Sequence, residues 1–408
     1  MSIQAAIMGR TTSGVGLLRS LAAWGPGVLV MLADCDAGNV VSAAQAGAQW
    51  GYRLLPLLLL LIPVLYMVQE LTVRLGIFTQ VGHGALIRKH MGPVWAWLAL
   101  GNLAVAVVGT LVTEFTAVAG IGAMFGIDRG LSLSLAVAAL LAVALLGSYR
   151  RIERAALVIG LFELAFFVVA WMARPDAAQI WRDASDIPFT NGAFLYLTTA
   201  LIGAVFNPWM VFYQQGAVAA KALRPTDYRA ERLDTGFGAI LTQCLTAAVL
   251  MAGASVLRGR DLSSVGEIGD ALIPVLGSAF AKPVFAAGVL GAAMVAAIVA
   301  SLSLSWGVGE VVGRRGQGKG YLLFYTVCVC GSALLVAGFD DLVRLSIGAQ
   351  VLNAFLLPLL LGCLLFLARR ALHKRLRPTG WQWVATLLAS LLLIVVGLGG
   401  GLAGLFGT

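Results

Sequence analysis

Asp36 and Asn39 stand three residues apart in ADCDAGN, inside the apolar run Gly25–Gly47. An ionised carboxylate at mid-bilayer costs about 3 kcal/mol even on the mildest scales, so its presence there marks function. Gly38 lies between the two and permits the backbone conformation that a break in a helix needs. A broken helix releases carbonyl oxygens from its hydrogen-bond ladder. One carboxylate, one carboxamide oxygen and free carbonyls make a hard, oxygen-only site for a cation. Asp36 can also cap the helix that restarts after the break, and capping and ligation can coexist. Asp34, two residues before Asp36, points to the opposite helical face. It either lines a pathway or joins the ion site.

A second set of such residues occurs in GAVFNPW, Gly203–Trp209. Pro208 has no backbone donor and disfavours helix at the residue before it. The break should free the carbonyl of Ala204 or its neighbour and leave Asn207 beside it. A plain proline kink, with Asn207 satisfying the backbone, is the alternative. Gln350 is a lone amide in LSIGAQVLNAF, with Asn353 one turn on. It makes either a helix–helix hydrogen bond or a contact to the water shell of an ion. Glu114 can be a proton relay, a pathway charge or a paired group. Glu70, Glu163 and Glu310 read as structural. His83, His90 and His373 fall in or near loops, so a mid-membrane His–carboxylate proton route is missing.

The elements that position these residues must be membrane helices. The chain is 60% hydrophobic and 12% charged, with a mean hydropathy of +0.92, which excludes a water-soluble globule of this length. Strand alternation is absent, which argues against a barrel. The net charge of +9 fits Lys and Arg facing anionic lipid, and no basic-aromatic module for nucleic acid is present. The five cysteines fall in apolar segments and read as free, buried thiols. Arg10 and Arg19 precede an apolar run as in a signal peptide, but no cleavage site follows, so the run reads as a mature span.

About eleven spans are predicted, at 22–48, 53–78, 93–124, 131–148, 155–173, 193–219, 235–257, 283–311, 321–338, 342–368 and 382–405. Alternate loops are basic, among them Arg88 and Lys89, Arg150–Arg154, Lys221–Arg232, Arg314–Lys319 and Arg369–Arg377. The others are mixed or acidic: Asp128, Asp176–Asp186, Arg258–Lys282, and Asp340 with Asp341. This alternation puts the N-terminus in the cytoplasm and the C-terminus outside. The first and sixth spans then run in opposite directions. Two broken spans at matching positions of inverted halves point to the binding site of a secondary transporter.

GPGVLVMLADCDAGNVVSAAQAGAQWGYRLL resembles the first-span signature of the NRAMP divalent-metal transporters, whose motif reads Asp-Pro-Gly-Asn. QELTVRLGIFTQ, Gln69–Gln80, resembles the end of their second span. The resemblance implies an all-α polytopic LeuT-like fold, a 5+5 inverted repeat with broken first and sixth helices plus one extra helix. The divisions expected are 1–174, 175–370 and 371–408. Carried over, the metal site is Asp36, Asn39, the Ala204 carbonyl and Asn207, to which Gln350 is added. The family's Ala-x-x-Met-Pro-His is here Ala204-Val205-Phe206-Asn207-Pro208-Trp209, and a downstream His is Gln214. Of the third-span Asp-Leu-Ala-Glu only Glu114 is kept. An amide oxygen thus replaces the soft sulfur that selects transition metals.

The pattern is similar to the NRAMP-related magnesium transporters. It implies import of Mg²⁺, with Mn²⁺ accepted, by alternating access and without tight proton coupling. The expected setting is the inner membrane, with no cofactor, the metal as cargo, the lipid bilayer as surroundings and a monomer as the working unit. Two rivals are a proton-coupled Mn²⁺/Fe²⁺ carrier and an organic-solute carrier on the same fold. An enzyme has least support, since no HExxH, Ser–His or intramembrane His–carboxylate arrangement is present.

Overall fold

The computed structural model describes residues 25–146, 149–260, 262, 264–271, 278–312, 319–378 and 380–406. Arg10, Arg19, Asp261, Arg314 and Arg315 from the charge argument lie outside them, as do residues 22–24 and 147–148 of the predicted spans.

The described secondary structure is helical throughout. Among the described residues, nine helical runs are long and apolar enough to cross a membrane. The pair Pro26–Asp34 and Ala37–Trp50, bent by 48° at a short break, makes a tenth. The shorter apolar helix Arg129–Leu146 is the fourth of the eleven predicted. The second span is Leu55–Thr79 and the third Pro93–Met124. The sixth is Gly192–Val205 followed by Pro208–Ala220. The seventh is Tyr228–Val256, the eighth Ser278–Val312 and the ninth Lys319–Gly338. The tenth is Leu342–Arg370 and the eleventh Gly380–Phe406.

Three local findings refine the sequence reading. The seventh span starts seven residues before the predicted 235, because the charged turn Tyr228–Arg232 continues the helix beyond the apolar zone. The fifth span is not uniform: between Tyr149–Gly160 and Ala165–Met172 it tightens to a 3₁₀ turn at Leu161–Leu164. All five cysteines are free, but Cys244 and Cys330 are only partly buried, since their helices present that face to the periphery.

The exterior is apolar. Leu59, Trp97, Leu98, Trp171, Leu334 and Leu391 are all exposed, as suits a lipid solvent. The core instead holds the polar groups: Asp34, Asp36, Asn39, Glu114, Glu163, Asn207 and Gln350 are buried. The sixth span has 89% of its apolar window buried, against 33% for the fifth, ninth and eleventh, and the first is buried throughout Leu29–Ala48. The sixth is therefore central, and it packs on both halves of the first span and on the tenth.

Each end of the first span is pinned by a carboxylate from another element. At the Gly25 end, Asp234 Oδ2 accepts the N–H groups of Gly25, Gly27 and Val28 at 3.1, 2.8 and 3.3 Å. At the Trp50 end, Asp183 Oδ2 accepts Tyr52 N–H at 3.1 Å and lies 3.4 Å from Arg258 Nη2. Asp183 belongs to the short helix Ala177–Ser185 outside the spans.

Candidate metal site

The first break is held open by its own residues. Asp36 is extended and caps Ala37–Trp50, with Asn39 N–H donating to Oδ1 at 2.7 Å. Asn39 Nδ2 reaches back across the break to the Asp34 carbonyl at 3.1 Å. Each of these bonds uses one atom of a side chain and spares an oxygen. Asp36 Oδ2 and Asn39 Oδ1 are buried and accept no hydrogen bond.

The sixth-span break follows from proline. In a continuous helix the Ala204 carbonyl would accept from residue 208, which is Pro208 and has no N–H. Pro208 instead opens the second half-helix, a position that suits it. Asn207 Nδ2 makes a long 3.4 Å contact to the Ala204 carbonyl, and Asn207 Oδ1 is left buried without a donor.

Gln350 joins the two breaks. Its Nε2 donates to Asp36 Oδ1 at 3.4 Å, and its Oε1 accepts Asn353 Nδ2 at 2.9 Å. A Cβ on Gly38 would overlap the Gln350 amide, and one on Gly203 would overlap the Gln350 backbone carbonyl. Glycine at these two positions is what lets both broken spans close on the tenth. In this arrangement Gln350 orients Asp36, and Asn353 Oδ1 is a further buried oxygen without a donor. A helix–helix hydrogen bond and a place beside the ion site are thus the same bond.

Glu114 takes the paired role among its three readings. Its Oε2 accepts Ala37 N–H at 3.3 Å and its Oε1 accepts the Thr113 hydroxyl at 3.1 Å. Trp209, where the family carries His, is buried and donates Nε1–H to Thr110 at 2.9 Å. Gln214 donates to Thr235 at 2.8 Å. Asp34 turns its carboxylate toward Thr242 of the seventh span, and Cys35 turns its thiol toward Thr246. Both Asp34 carboxylate oxygens are buried and accept no hydrogen bond.

Of two further buried carboxylates, Glu163 read from the sequence as structural and Asp234 was missed. Glu163 lies on the 3₁₀ turn of the fifth span, wholly buried, with neither oxygen hydrogen-bonded. A lone Glu in GLFELAFF was the available signal, since an intramembrane carboxylate is functional by default. Asp234 was hidden by its charged neighbours, Arg232 and Glu231, which read as loop. Among the described residues no group of three His, Cys, Asp or Glu side chains could hold a metal ion. The candidate donors are amides, a carbonyl and one carboxylate, which suits a hard cation better than zinc.

Two discontinuous helices meeting at buried, oxygen-rich breaks define a secondary carrier of the LeuT-like class. The family model described as natural resistance-associated macrophage protein-like, Nramp, matches residues 27–402, and the chain belongs to that family. It is a multi-pass membrane transporter of divalent metal cations, not an enzyme, and the metal is its cargo. Among its relatives, the divalent metal cation transporter MntH of Bradyrhizobium diazoefficiens is 29% identical over 309 residues, 72% of this chain and 68% of that protein. MntH of Brucella suis is 24% identical over 409 residues, 95% of this chain and 89% of that protein. The crystal structure of the Eremococcus coleocola manganese transporter, bound to an aromatic bis-isothiourea compound, superposes with a TM-score of 0.80. It covers 98% of this chain and 91% of that one at 19% identity, which speaks for the fold alone.

Proposed function

We propose that the chain imports Mg²⁺, accepting Mn²⁺, by alternating access and without tight proton coupling. The observation that carries this reading is the set of orphaned oxygens at the two breaks: Asp36 Oδ2, Asn39 Oδ1 and Asn207 Oδ1. A buried polar atom without a partner costs about 1–3 kcal/mol. Three acceptors in one region, with the Ala204 carbonyl beside them, call for a common cation rather than three separate donors. Mg²⁺ takes oxygen at about 2.0–2.1 Å and keeps several waters, so a sparse protein shell with Gln350 and Asn353 near the water is compatible with it. Asn207 stands where relatives with a thioether would favour softer metals.

The divisions 1–174, 175–370 and 371–408, the cytoplasmic N-terminus and the inner-membrane setting belong to the same proposal. All proposed donors come from one chain, so a monomer suffices. The membrane potential drives entry, at about 2.3 kcal/mol per charge per 100 mV.

Uptake into proteoliposomes tests the reading, with Mg²⁺ and Mn²⁺ supplied in turn and a pH dye inside. Mg²⁺ entry without acidification is the expected result. Entry of Mn²⁺ with exclusion of Mg²⁺ and acidification of the lumen would instead favour a proton-coupled carrier like the manganese transporters it resembles.

A further inference from the structure

Away from the breaks, a cavity of about 230 Å³ opens between the second, seventh and eleventh spans. Tyr66, Glu70 and Arg74 line it from the second span, Arg232 from the seventh, and Trp381 and Gln382 from the eleventh. Its charged lining lies within the last three turns of the second span (Glu70 and Arg74) and the first two of the seventh (Arg232), and Trp381 and Gln382 lie in the first turn of the eleventh. That is the depth of a lipid headgroup.

The charges there do not cancel. Glu70 Oε1 accepts Arg74 Nη2 at 2.8 Å and Nε at 3.2 Å, and also the Tyr228 hydroxyl. Arg74 Nη1 goes to the Leu376 carbonyl at 3.1 Å, so this guanidinium is committed on both edges. Arg232 is different. Its Nε lies 3.6 Å from the same Glu70 oxygen and donates to Tyr66 at 3.2 Å, and it stacks 5.5 Å from the Tyr228 ring centre, yet 41% of its side chain stays exposed, so both arginines share one carboxylate. Two arginines against one glutamate leave one positive charge at the cavity. Met67 and Leu71 supply an apolar wall, and Trp381 is a largely exposed indole at the helix start, where interfacial tryptophans belong.

We propose that this cavity holds the headgroup of an anionic phospholipid. Arg232 and the Gln382 amide face the phosphate, and the apolar wall takes the first carbons of the acyl chains. A zwitterionic lipid offers the same phosphate but brings its own cation toward the surplus positive charge, so the anionic lipid is preferred. The site also gives the helix beyond the two repeats a part to play. Arg232 lies two residues before Asp234, which pins the start of the first span, so an occupied cavity braces the seventh span at the turn that holds the pin.

Native mass spectrometry of the full chain in detergent tests the assignment, with phosphatidylglycerol and phosphatidylcholine titrated separately. One phosphatidylglycerol should be retained in preference to phosphatidylcholine. Arg232→Gln should weaken retention about fivefold, the worth of one interfacial arginine. Arg375→Gln, on the exposed neighbouring turn, should leave it unchanged. If Arg232→Gln does not fold, the paired Trp381→Ala and Gln382→Ala variants should show the same loss at an unaltered melting temperature. Equal retention of both lipids would overturn the proposal. So would equal loss in Arg375→Gln, which would mean diffuse attraction to a basic loop. Displacement by millimolar inorganic phosphate would overturn it too, by showing a site for a free anion. None of these readouts involves metal transport, so they stand or fall apart from the Mg²⁺ reading.

Discussion

In the proposed site, metal choice turns on Asn207. Its amide oxygen is buried and free, while its nitrogen leans on the Ala204 carbonyl. Replacing that oxygen by a thioether trades a hard donor for a soft one. Asn207→Met should move the Mn²⁺:Mg²⁺ preference toward Mn²⁺ by about tenfold, the worth of about 1.4 kcal/mol, in competition uptake. An unchanged ratio would remove Asn207 from the site. Asp36→Ala removes the one carboxylate of the proposed site, with its free Oδ2, and Mg²⁺ uptake should fall to the level of empty vesicles. That Asp36, Asn39 and Asn207 fall at the two helix breaks was legible in the sequence, because each interrupts an apolar run beside a Gly or a Pro. The direction in which Gln350 offers its amide was not. That depends on Asn353 taking the oxygen and on Gly38 and Gly203 admitting the helix, which are contacts between distant segments.

Among the elements, the first span is the one held at both ends by carboxylates from elsewhere. Asp234→Ala removes an acceptor shared by three N–H groups at its start, a capping loss of about 0.5–2 kcal/mol. In a background where Cys35 is the only cysteine, labelling of that buried thiol by a maleimide from the Gly25 side should then speed up. Unaltered labelling would show that Asp234 does not hold the span shut. Asp234 was illegible because helix and loop look alike where a span emerges into charge.

The short helix His83–Met91 makes a separate prediction. Burial holds the His83 imidazole down at about 4 from its usual 6.5, against the opposing pull of its hydrogen bond to Gln215. The folded chain thus keeps His83 neutral where the unfolded chain takes a proton. Stability is complete above about pH 6.5 and drains away as the pH falls toward 4. Melting of the detergent-solubilised protein should show this loss, and His83→Gln should blunt it.

At the scale of the whole molecule, the order of spans was legible because lipid demands uninterrupted apolar helices and basic loops mark one side. Orientation can be read directly: a protease-cleavable tag after Thr408 should be cut from outside spheroplasts, and protection there would reverse the proposed orientation. The 3₁₀ turn carrying Glu163 was less legible, since nothing in LFEL distinguishes a tight turn from an ordinary one. It depends on packing against the eighth span.

The pins at Asp234 and Asp183 grip opposite ends of one bent rod. A rod bolted at both ends waits, and it tips first at the weaker bolt. In the proposed alternating-access cycle, the resting tilt of the empty carrier is then set by a contest between two carboxylates, neither of them a proposed metal donor. Exchanging either one would retune how scarce a metal the carrier waits for, and from which side, while leaving the selectivity of the site as it was.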